Sequence, residues 1–394
     1  MIGINNQRQR REPCGIRIAL SRSGMCAMAA RRLRGIINRR RLIGVAISLF
    51  ALTLSGASAA DQVFFMALPE NVLATAVGGN AFTVAGTYFH SGAFVWMPTS
   101  GDTRLGGVSA SAISRDGRII IGTARDSRGL QNAAIRTVDE EWRLLGSVVP
   151  NAVPCDELLS SAYGATDDGS VVVGLAWNGC SFARAFRWDA SRGMVDLGST
   201  NGGSTRANNI SNDGIVVIGW RTHQTGFRQA VKWVGGKEEP IVGPQELLGE
   251  PHGINSNATI IVGGGCDPGA TIVSSPAWVW TPETGVKCYP VQHPDWLPRN
   301  IPFAPVMFDL SDDGRVIVGA YTFGLDSEAL LWLDGRVYFL KDYLAQRGLP
   351  NAFDRWVNTG FITAISRDGR TLVGYGAGPT GFQGYMVVLP EGTK

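Results

Sequence analysis

The sequence is poor in histidine, in charged residues and in long apolar segments. It has 4 His in 394 residues, and 18% of its residues are charged. With 51 Gly and few periodic Leu, Ala, Glu or Lys runs, it is typical neither of a disordered chain nor of a helical protein. The apolar run at residues 42–54 is shorter than the ~20 residues of a transmembrane helix. We therefore expect a folded domain without a membrane span in the mature chain.

The excess of positive charge is confined to an N-terminal leader. Residues 1–59 contain eleven Arg and one acid, Glu12, whereas the remainder of the chain carries a net charge of −7. An acidic domain argues against contact with a phosphate backbone, so we expect no nucleic-acid partner.

The leader has the parts of a secretory signal peptide. An Arg-rich stretch at residues 31–41 precedes the apolar run, and small residues then predict cleavage after Ala59 or Ala60. The Arg-rich stretch also fits a loose twin-arginine pattern, so the export route stays open. We expect a secreted or periplasmic protein with a leader at 1–59 and one domain at 60–394.

The start of translation also stays open. Residues 1–24 resemble no part of a signal peptide, so Met25 or Met28 is a candidate for the true start. The alternative is that the charged region of the signal peptide is simply long.

Four of the six Cys lie in the predicted domain, at Cys155, Cys180, Cys266 and Cys288. An even number in an exported chain favours disulfides. Of the three possible pairings we favour Cys155–Cys180 and Cys266–Cys288, because each closes a short loop between neighbouring strands of the repeat described next. Free buried thiols are the alternative. A zinc site is disfavoured because CxxC spacing is missing and His is scarce, and we predict no metal and no cofactor.

One phrase recurs seven times along the domain. Residues 112–122 read AISRDGRIIIG, and residues 209–219 read NISNDGIVVIG. The seven copies end at Gly86, Gly122, Gly174, Gly219, Gly263, Gly319 and Gly374. Successive copies end 36 to 56 residues apart, which is the range of four-stranded propeller blades.

A second phrase follows each copy after a variable loop. Its best form is Ala-x-x-Trp, as at residues 185–188 and 230–233, and a third, looser phrase usually comes after it. Each unit therefore predicts four strands, two of them around the Asp-Gly turn, followed by the Ala-x-x-Trp strand and an outer strand. The expected fold is all-β, a seven-bladed β-propeller of four-stranded blades.

The two ends of the domain complement each other. The seventh unit lacks an outer strand, whereas the segment 63–68 precedes the first unit and is rich in strand-forming residues. We predict that strand 63–68 pairs with the last blade, because this pairing closes the ring and removes exposed sheet edges.

The Asp-Gly turn of the first phrase has a structural explanation. Gly takes the positive-φ position of a tight hairpin, Asp bonds the local backbone, and the Ser or Thr hydroxyl caps the turn. Five such Asp could be interpreted as a calcium site, but on a propeller they lie about one blade apart, too far to share an ion. Before the turn most copies have a small residue. Asn209 and Asp309 depart from this pattern, and they either line the channel or bond the backbone of the turn.

These phrases resemble the HAF family of extracellular repeats, as in the stretch AFRWDASRGMVDLGSTNGGSTRANNISNDGIVVIG at residues 185–219. The resemblance covers nearly all of residues 63–390. It implies an exported bacterial propeller of unknown activity, and it carries no catalytic residues over to this chain. The Asp-Gly turns also resemble the repeats of TolB-like propellers, which is a more distant similarity.

Aromatic and basic residues are concentrated in the loops between second and third strands and at the starts of the innermost strands. Both regions open on the same face of a propeller, here called the loop-rich face. The candidate ligand-binding residues there are Tyr163, Trp177, Arg206, Trp220, His223, His252, Tyr321 and Tyr375, and Asn208 and Phe308 also lie at innermost strands. Aromatic planes mixed with hydrogen-bonding groups suit sugar or peptide ligands. The alternative is that these rings plug the channel or cover the tops of the blades.

No catalytic arrangement is recognisable in the sequence. The four His form no HExxH or i,i+4 pair, and no GxSxG motif accompanies them. We expect a monomeric, non-catalytic binding or scaffold module that recognises a glycan, peptide or protein on the loop-rich face. The alternatives are an extracellular enzyme, such as a polysaccharide-degrading hydrolase or lyase, and a purely structural surface protein.

Overall fold

The structure is a computed structural model that describes residues 62–79, 82–242, 249–266, 275–298, 300–323 and 326–391. The predicted signal peptide, its cleavage site and both candidate start sites lie outside these residues. Among the helices of the described ranges, none has the length and apolar character to cross a membrane.

Seven four-stranded antiparallel sheets form the blades of a β-propeller, which confirms the predicted fold. The first blade comprises β2 (Val72–Val77), β3 (Val84–Tyr88), β4 (Gly92–Met97) and β5 (Gly101–Gly106). The second comprises β6 (Ser109–Ile113), β7 (Ile119–Arg125), β8 (Gln131–Thr137) and β9 (Arg143–Gly146). The third comprises β10 (Ser160–Ala165), β11 (Val171–Trp177), β12 (Ala183–Asp189) and β13 (Gly193–Asp196). The fourth and fifth comprise β14 (Thr205–Ile210), β15 (Val216–Thr222), β16 (Arg228–Val234) and β17 (Lys237–Pro240); and β18 (Glu250–Ile254), β19 (Ile261–Gly264), β20 (Ala277–Thr281) and β21 (Gly285–Tyr289). The sixth comprises β22 (Phe303–Leu310), β23 (Val316–Phe323), β24 (Asp326–Leu333) and β25 (Arg336–Phe339), and helix α1 (Leu340–Gln346) follows it.

The seventh blade joins the two ends of the domain. It comprises β26 (Asn358–Ile365), β27 (Thr371–Gly378), β28 (Gly381–Val388) and β1 (Phe64–Glu70). Phe64 pairs with Val388 and Phe65 pairs with Val387, so the N-terminal strand is the outer strand of this blade, as predicted. The pairing gives the edge of β28 a partner and closes the ring.

The hydrophobic cores lie between neighbouring blades. One core combines Ile121 and Ala133 of the second blade with Ala162, Val172 and Phe186 of the third. In β11 the β-branched run reaches cores on both faces of the sheet, since Val172 belongs to this core whereas Val171 and Val173 belong to the core with the fourth blade, so this run does not alternate.

The Asp-Gly turns are held by the side chains that the sequence indicates. In the second blade, Ser114 Oγ donates to Asp116 Oδ1 at 2.6 Å, and the Arg118 amide donates to the same oxygen at 3.0 Å. Gly117 follows with a φ of 75°. The equivalent carboxylates also accept from a Ser or Thr hydroxyl, and they are Asp168, Asp213, Asp313 and Asp368. These carboxylates are therefore structural.

Backbone amides link neighbouring blades next to these turns. The donor is the backbone N–H of the residue just before the turn Asp, and in the fifth blade Asn257 takes the place of that Asp. The acceptor belongs to the equivalent residue of the next blade. The acceptor alternates between a main-chain and a side-chain oxygen. The links run from Arg115 to Asp167 O, Asp167 to Asn212 Oδ1, Asn212 to Ser256 O, Ser256 to Asp312 Oδ1 and Asp312 to Arg367 O, over 2.7–3.0 Å.

Every innermost strand has a β-bulge at the same position. In the fourth blade, Ala207 pairs with Gly219 and Asn209 pairs with Ile218, so Asn208 has no partner across the ladder. The seven residues displaced in this way are Thr75, Ser111, Tyr163, Asn208, His252, Phe308 and Thr363. We call them the bulge ring. A bulge redirects a side chain and bends its strand, and here it does so once in each blade.

The bulge explains the glycine that closes each repeated phrase. A Cβ on Gly219 would lie 1.9 Å from the carbonyl oxygen of Arg206, and one on Gly174 would lie 2.0 Å from that of Ser161. In all seven blades the nearest atom is the carbonyl oxygen two residues before the bulge residue. Only glycine lets the second strand approach the bulge this closely.

The two expected disulfides are present. Cys155 and Cys180 have Cα atoms 4.4 Å apart and join the segment before β10 to the loop between β11 and β12. Cys266 and Cys288, with Cα atoms 5.8 Å apart, join the end of β19 to the outer strand β21. Both bonds close loops within one blade, as the repeat predicts.

Candidate ligand-binding site in the channel

The bulge ring lines a cavity of about 380 Å³ on the propeller axis. All seven bulge residues contribute to its wall, together with Arg206 near the loop-rich face and with Arg115, Asp167 and Arg367 at the turns. A cavity of this size can hold a small ligand or one end of a longer one.

Three bulge residues present unused polar groups to this cavity. Within the described residues, the Ser111 hydroxyl, the Tyr163 hydroxyl and the His252 imidazole nitrogens have no hydrogen-bond partner. The two bulge threonines differ, because Thr75 Oγ1 and Thr363 Oγ1 each donate to a carbonyl oxygen of a neighbouring blade at 2.7 Å. All three residues are half-buried and line the cavity, so their polar groups are available to bond a ligand there.

A charged network supports the same wall. Arg206 Nη2 lies 3.0 Å from Glu250 Oε1, and its Nε donates to Asn208 Oδ1 at 2.7 Å. Asn208 Nδ2 in turn donates to Glu250 Oε1 at 2.9 Å, while Arg228 pairs with the other carboxylate oxygen. The Arg206 guanidinium lies 4.5 Å from the centre of the Tyr163 ring. These contacts hold Tyr163 and Arg206 in one orientation.

The network sets the charge of its two titratable members. Burial alone raises the pKa of Glu250, but the charges of His252, Arg206 and Arg228 and the Asn208 hydrogen bond outweigh it and lower this pKa below 4.5. Burial lowers the pKa of His252 from its ordinary value of 6.5, with Glu250 opposing the shift and both arginines adding to it. At neutral pH the carboxylate is therefore charged and the imidazole is neutral.

The turn end of the cavity is crossed by Arg367. Its Nε lies 3.4 Å from Asp167 Oδ1, and its Nη1 donates to the carbonyl oxygen of Ile254 at 2.9 Å. Arg115 lies 3.9 Å from the second carboxylate oxygen of Asp167. The three side chains come from the seventh, third and second blades and the carbonyl group from the fifth, so together they narrow the channel at this end.

Asn209 and Asp309 both line the cavity and bond the backbone. Asp309 Oδ1 accepts from the Leu310 amide, and Oδ2 accepts from the Ile365 amide of the next blade at 3.0 Å. Asn209 likewise reaches the carbonyl oxygen of His252 in the next blade, at 3.4 Å. Both interpretations from the sequence therefore apply, because these residues line the channel and also bond the backbone. Their bonds extend beyond the turn to the next blade. Burial raises the pKa of the Asp309 carboxyl, although Arg367 and the two amides oppose this.

A row of aromatic rings leads from the cavity to the loop-rich face. It runs through His252, Phe308, Phe361, Tyr375, Phe382 and Phe89, with successive ring centroids 4.9–6.3 Å apart. Phe382 and Phe89 are exposed at its outer end. Tyr375, one of the predicted residues, is in the middle of this row.

The structure brings Tyr163, Arg206 and His252 together at the cavity and places the remaining predicted residues outside it. Trp220 is buried beneath Arg228, with 4.6 Å between the guanidinium and the ring. His223 is buried and its Nδ1 contacts Thr225 Oγ1.

Tyr321 and Trp177 are the residues that the sequence interprets least well. Tyr321 is fully buried in the core of the sixth blade, where it stacks on Phe303 with centroids 4.9 Å apart, and this corrects its selection for the ligand surface. Trp177 is half-buried at the end of β11, and its indole nitrogen lacks a hydrogen bond among the described residues. The second strands continue past the closing glycine, to Phe323 in the sixth blade, so these positions belong to strands and not to loops.

Sequence reasoning missed Ser111, Glu250, Arg228, Asp167 and Arg367. Ser111 could have been found by aligning the repeats, because it directly precedes the small residue before the turn, as Tyr163 and His252 do. The others are placed by contacts between blades. Among the described residues, no three His, Cys, Asp or Glu form a group that could hold a metal ion.

Comparison with known proteins supports the fold. No family model and no curated protein matches the chain, so the resemblance to HAF repeats has no such match behind it. Among solved structures, an oligogalacturonate lyase in complex with manganese aligns with a TM-score of 0.54 and 11% identity, over 84% of this chain and 98% of that one.

TolB proteins, the more distant resemblance in the sequence, are also among the similar structures. A putative TolB from Agrobacterium tumefaciens aligns with a TM-score of 0.44 and 14% identity, over 56% of this chain and 80% of that one. TolB from Acinetobacter baumannii aligns with a TM-score of 0.44 and 12% identity, over 68% of this chain and 64% of that one. With TM-scores below 0.5 these two alignments carry no argument, and at 11% identity the likeness to the oligogalacturonate lyase shows the propeller fold alone.

Proposed function

We propose that this protein is an exported, non-catalytic binding module that holds one end of a glycan in the channel cavity. The observation that carries the proposal is the convergence of Ser111, Tyr163 and His252 on one cavity with their polar groups unbonded. Hydroxyl and imidazole groups match the hydroxyls of a sugar, and the Tyr163 and Phe308 rings offer apolar faces beside them. The aromatic row to Phe89 extends this surface outward for further sugar units.

The two disulfides are compatible with a periplasmic or extracellular location. Such a location gives the protein access to envelope and environmental polysaccharides, and it agrees with the predicted leader. The convergence of three unbonded polar groups on one cavity favours ligand binding over a purely structural role, because a binding pocket combines a few convergent polar groups with apolar walls.

The proposal is tested by isothermal titration calorimetry of the mature protein against oligosaccharides and peptidoglycan fragments. Tyr163→Phe removes one hydroxyl and should weaken binding about two- to tenfold, the effect of one neutral hydrogen bond. His252→Gln should weaken it comparably. Tyr321→Phe removes a hydroxyl from a buried ring outside the cavity and should bind as the wild type does. Absence of binding to every glycan, or binding unchanged in both cavity variants, contradicts the proposal.

An enzyme acting on a polysaccharide is the second candidate. It is favoured by the charged Glu250 in the network beside the cavity and by Asp309 in its wall, because their surroundings move the two carboxyl pKa values in opposite directions. Separated carboxyl pKa values are typical of acid and base pairs in glycoside hydrolysis. Release of reducing ends or unsaturated sugars by the wild type, lost in Asp309→Asn at unchanged ligand affinity, supports this candidate. Lack of turnover on all substrates that bind excludes it.

A further inference from the structure

A second cavity adjoins the first at the loop-rich face. It has a volume of about 430 Å³ and lies between the hairpin at Phe227 in the fourth blade and Val306 of β22 in the sixth. His252 lines both cavities. We call this second cavity the slot. The two cavities are therefore neighbours on either side of one side chain.

The floor of the slot is glycine backbone. A Cβ on Gly249 would lie 2.3 Å from the carbonyl oxygen of Gly264, and a Cβ on Gly264 would lie 3.2 Å from Val306. Glycine at these two positions therefore allows the close approach of neighbouring backbone and of Val306 at the floor of the slot. With Phe227, Ala304 and Val306 beside them, the walls are mostly apolar and suit the face of a ring.

Arg228 is the cation of the slot and is held in place. Its guanidinium lies on the Trp220 ring at 4.6 Å and pairs with Glu250, while its side chain remains 52% exposed. A guanidinium has five N–H donors, and Glu250 is its hydrogen-bond acceptor in the described structure. Stacking on an aromatic ring fixes the plane of the guanidinium, which favours two-point recognition of an anion.

The charges that the structure describes around the slot do not balance. Arg206 and Arg228 share the single carboxylate of Glu250, whose Oε1 also accepts from Asn208. Among the described residues of the lining, the titratable ones are Arg228, Glu250 and His252, and the imidazole is neutral because burial lowers its pKa. Within the described residues the cluster therefore has one positive charge in excess, and Glu250 has little capacity left to accept further donors.

We propose that the slot is a second subsite that binds a carboxylate-bearing sugar unit, with Arg228 pairing with the carboxylate and the apolar walls packing on the ring. The inference rests on the proposed glycan-binding function and names the chemical class that the site selects. A carboxylate on this unit replaces water on the exposed side of Arg228 with a charge-assisted hydrogen bond.

The experiment uses two oligosaccharides of equal length, one neutral and one with uronic acid units, titrated into the full protein by calorimetry. The wild type should prefer the acidic ligand by tenfold or more at low salt, the effect of one hydrogen bond to a charged group, and the preference should shrink as salt rises. Arg228→Gln should weaken binding of the acidic ligand about tenfold more than binding of the neutral one, and Arg228→Lys should keep part of the preference. Arg315→Gln, which removes an exposed arginine paired with Asp334, should behave as the wild type does.

The outcomes separate this inference from the proposed function. If the wild type binds the two ligands with equal affinity, or if Arg228→Gln loses affinity for both equally, the acidic subsite is overturned and glycan binding stays intact. Tyr163→Phe should weaken both ligands alike. Binding of neither ligand, nor of any other glycan, removes the proposed function itself. Binding of an acidic peptide in place of both oligosaccharides overturns the sugar assignment of the slot. Thermal melting of each variant confirms that it is folded.

Discussion

Arg367 in the seventh blade pairs with Asp167 in the third, 200 residues away, across the axis of the propeller. The two side chains are 17% and 13% exposed, so water screens the pair only in part. The same guanidinium bonds the carbonyl oxygen of Ile254 in the fifth blade. One side chain thus connects three blades that do not neighbour one another.

Arg367→Ala should lower the free energy of unfolding by about 2 kcal/mol, because it leaves a half-buried carboxylate and a carbonyl oxygen without their donor. Urea unfolding at neutral pH measures the loss. Arg315→Ala removes an exposed ion pair with Asp334 and should leave the midpoint unchanged. Equal effects of the two substitutions would show that the cross-axis contact contributes nothing.

Ring closure can be tested within β1. Phe65 packs against Phe353 with centroids 4.8 Å apart, whereas its neighbour Phe64 is 52% exposed. Because side chains alternate along a strand, Phe65→Ala should cost about 2–3 kcal/mol of stability and Phe64→Ala less than about 1 kcal/mol. Differential scanning calorimetry compares the two. A larger loss for Phe64→Ala would contradict the pairing of β1 with β28.

The closing glycine of the third blade should be essential for both stability and binding. In Gly174→Ala the new methyl group meets the carbonyl oxygen of Ser161, so the bulge at Tyr163 must move, and we expect a loss of more than about 3 kcal/mol. Ligand affinity should fall in any molecules that fold.

Gly129→Ala is the matched control for this substitution. Gly129 has a φ of 84° and no atom near its missing Cβ, so alanine there should cost about 1 kcal/mol and leave binding intact. Chemical unfolding and calorimetric binding measure both variants. Tolerance of alanine at Gly174 would refute the explanation of the closing glycine.

His252 makes stability depend on pH. Its pKa in the folded protein lies below the ordinary value of 6.5, so the unfolded chain binds more protons between the two values. The contribution of the neutral ring to the free energy of unfolding is fully present above about pH 6.5. It is lost as the pH falls through the pKa that His252 has in the folded protein. His252→Gln should therefore lose less stability than the wild type between about pH 7 and 5, measured by urea unfolding at several pH values. Parallel pH profiles of the two proteins would disprove this assignment.

The repeat made the fold predictable from the sequence. Asp-Gly turns, closing glycines and Ala-x-x-Trp strands are local patterns, and seven copies at blade spacing leave few other architectures open. The pairing of the two ends follows from a missing outer strand in the last unit. The pairing of Cys266 with Cys288 follows from the repeat, because both residues belong to one unit and the bond closes a loop within its blade.

The site was predictable only in part. Tyr163 and His252 could be selected because they occur at the same position of the innermost strand as the other bulge residues. Tyr321 could not be told from a surface ring, because the pattern does not show where the second strand ends. Because β23 continues for two residues beyond Tyr321, this residue belongs to the strand, and its ring packs in the core.

The sequence alone determined the number of blades, their strand order, the turns and the disulfide pairs, since each depends on residues close together in one repeat. Only the tertiary structure decided which side chains meet on the axis. Arg206 with Glu250 in the next blade, Arg367 with Asp167 across the channel, and the slot between the fourth and sixth blades all join residues from different repeats. Their distances depend on how the ring packs as a whole, and no local pattern records that packing.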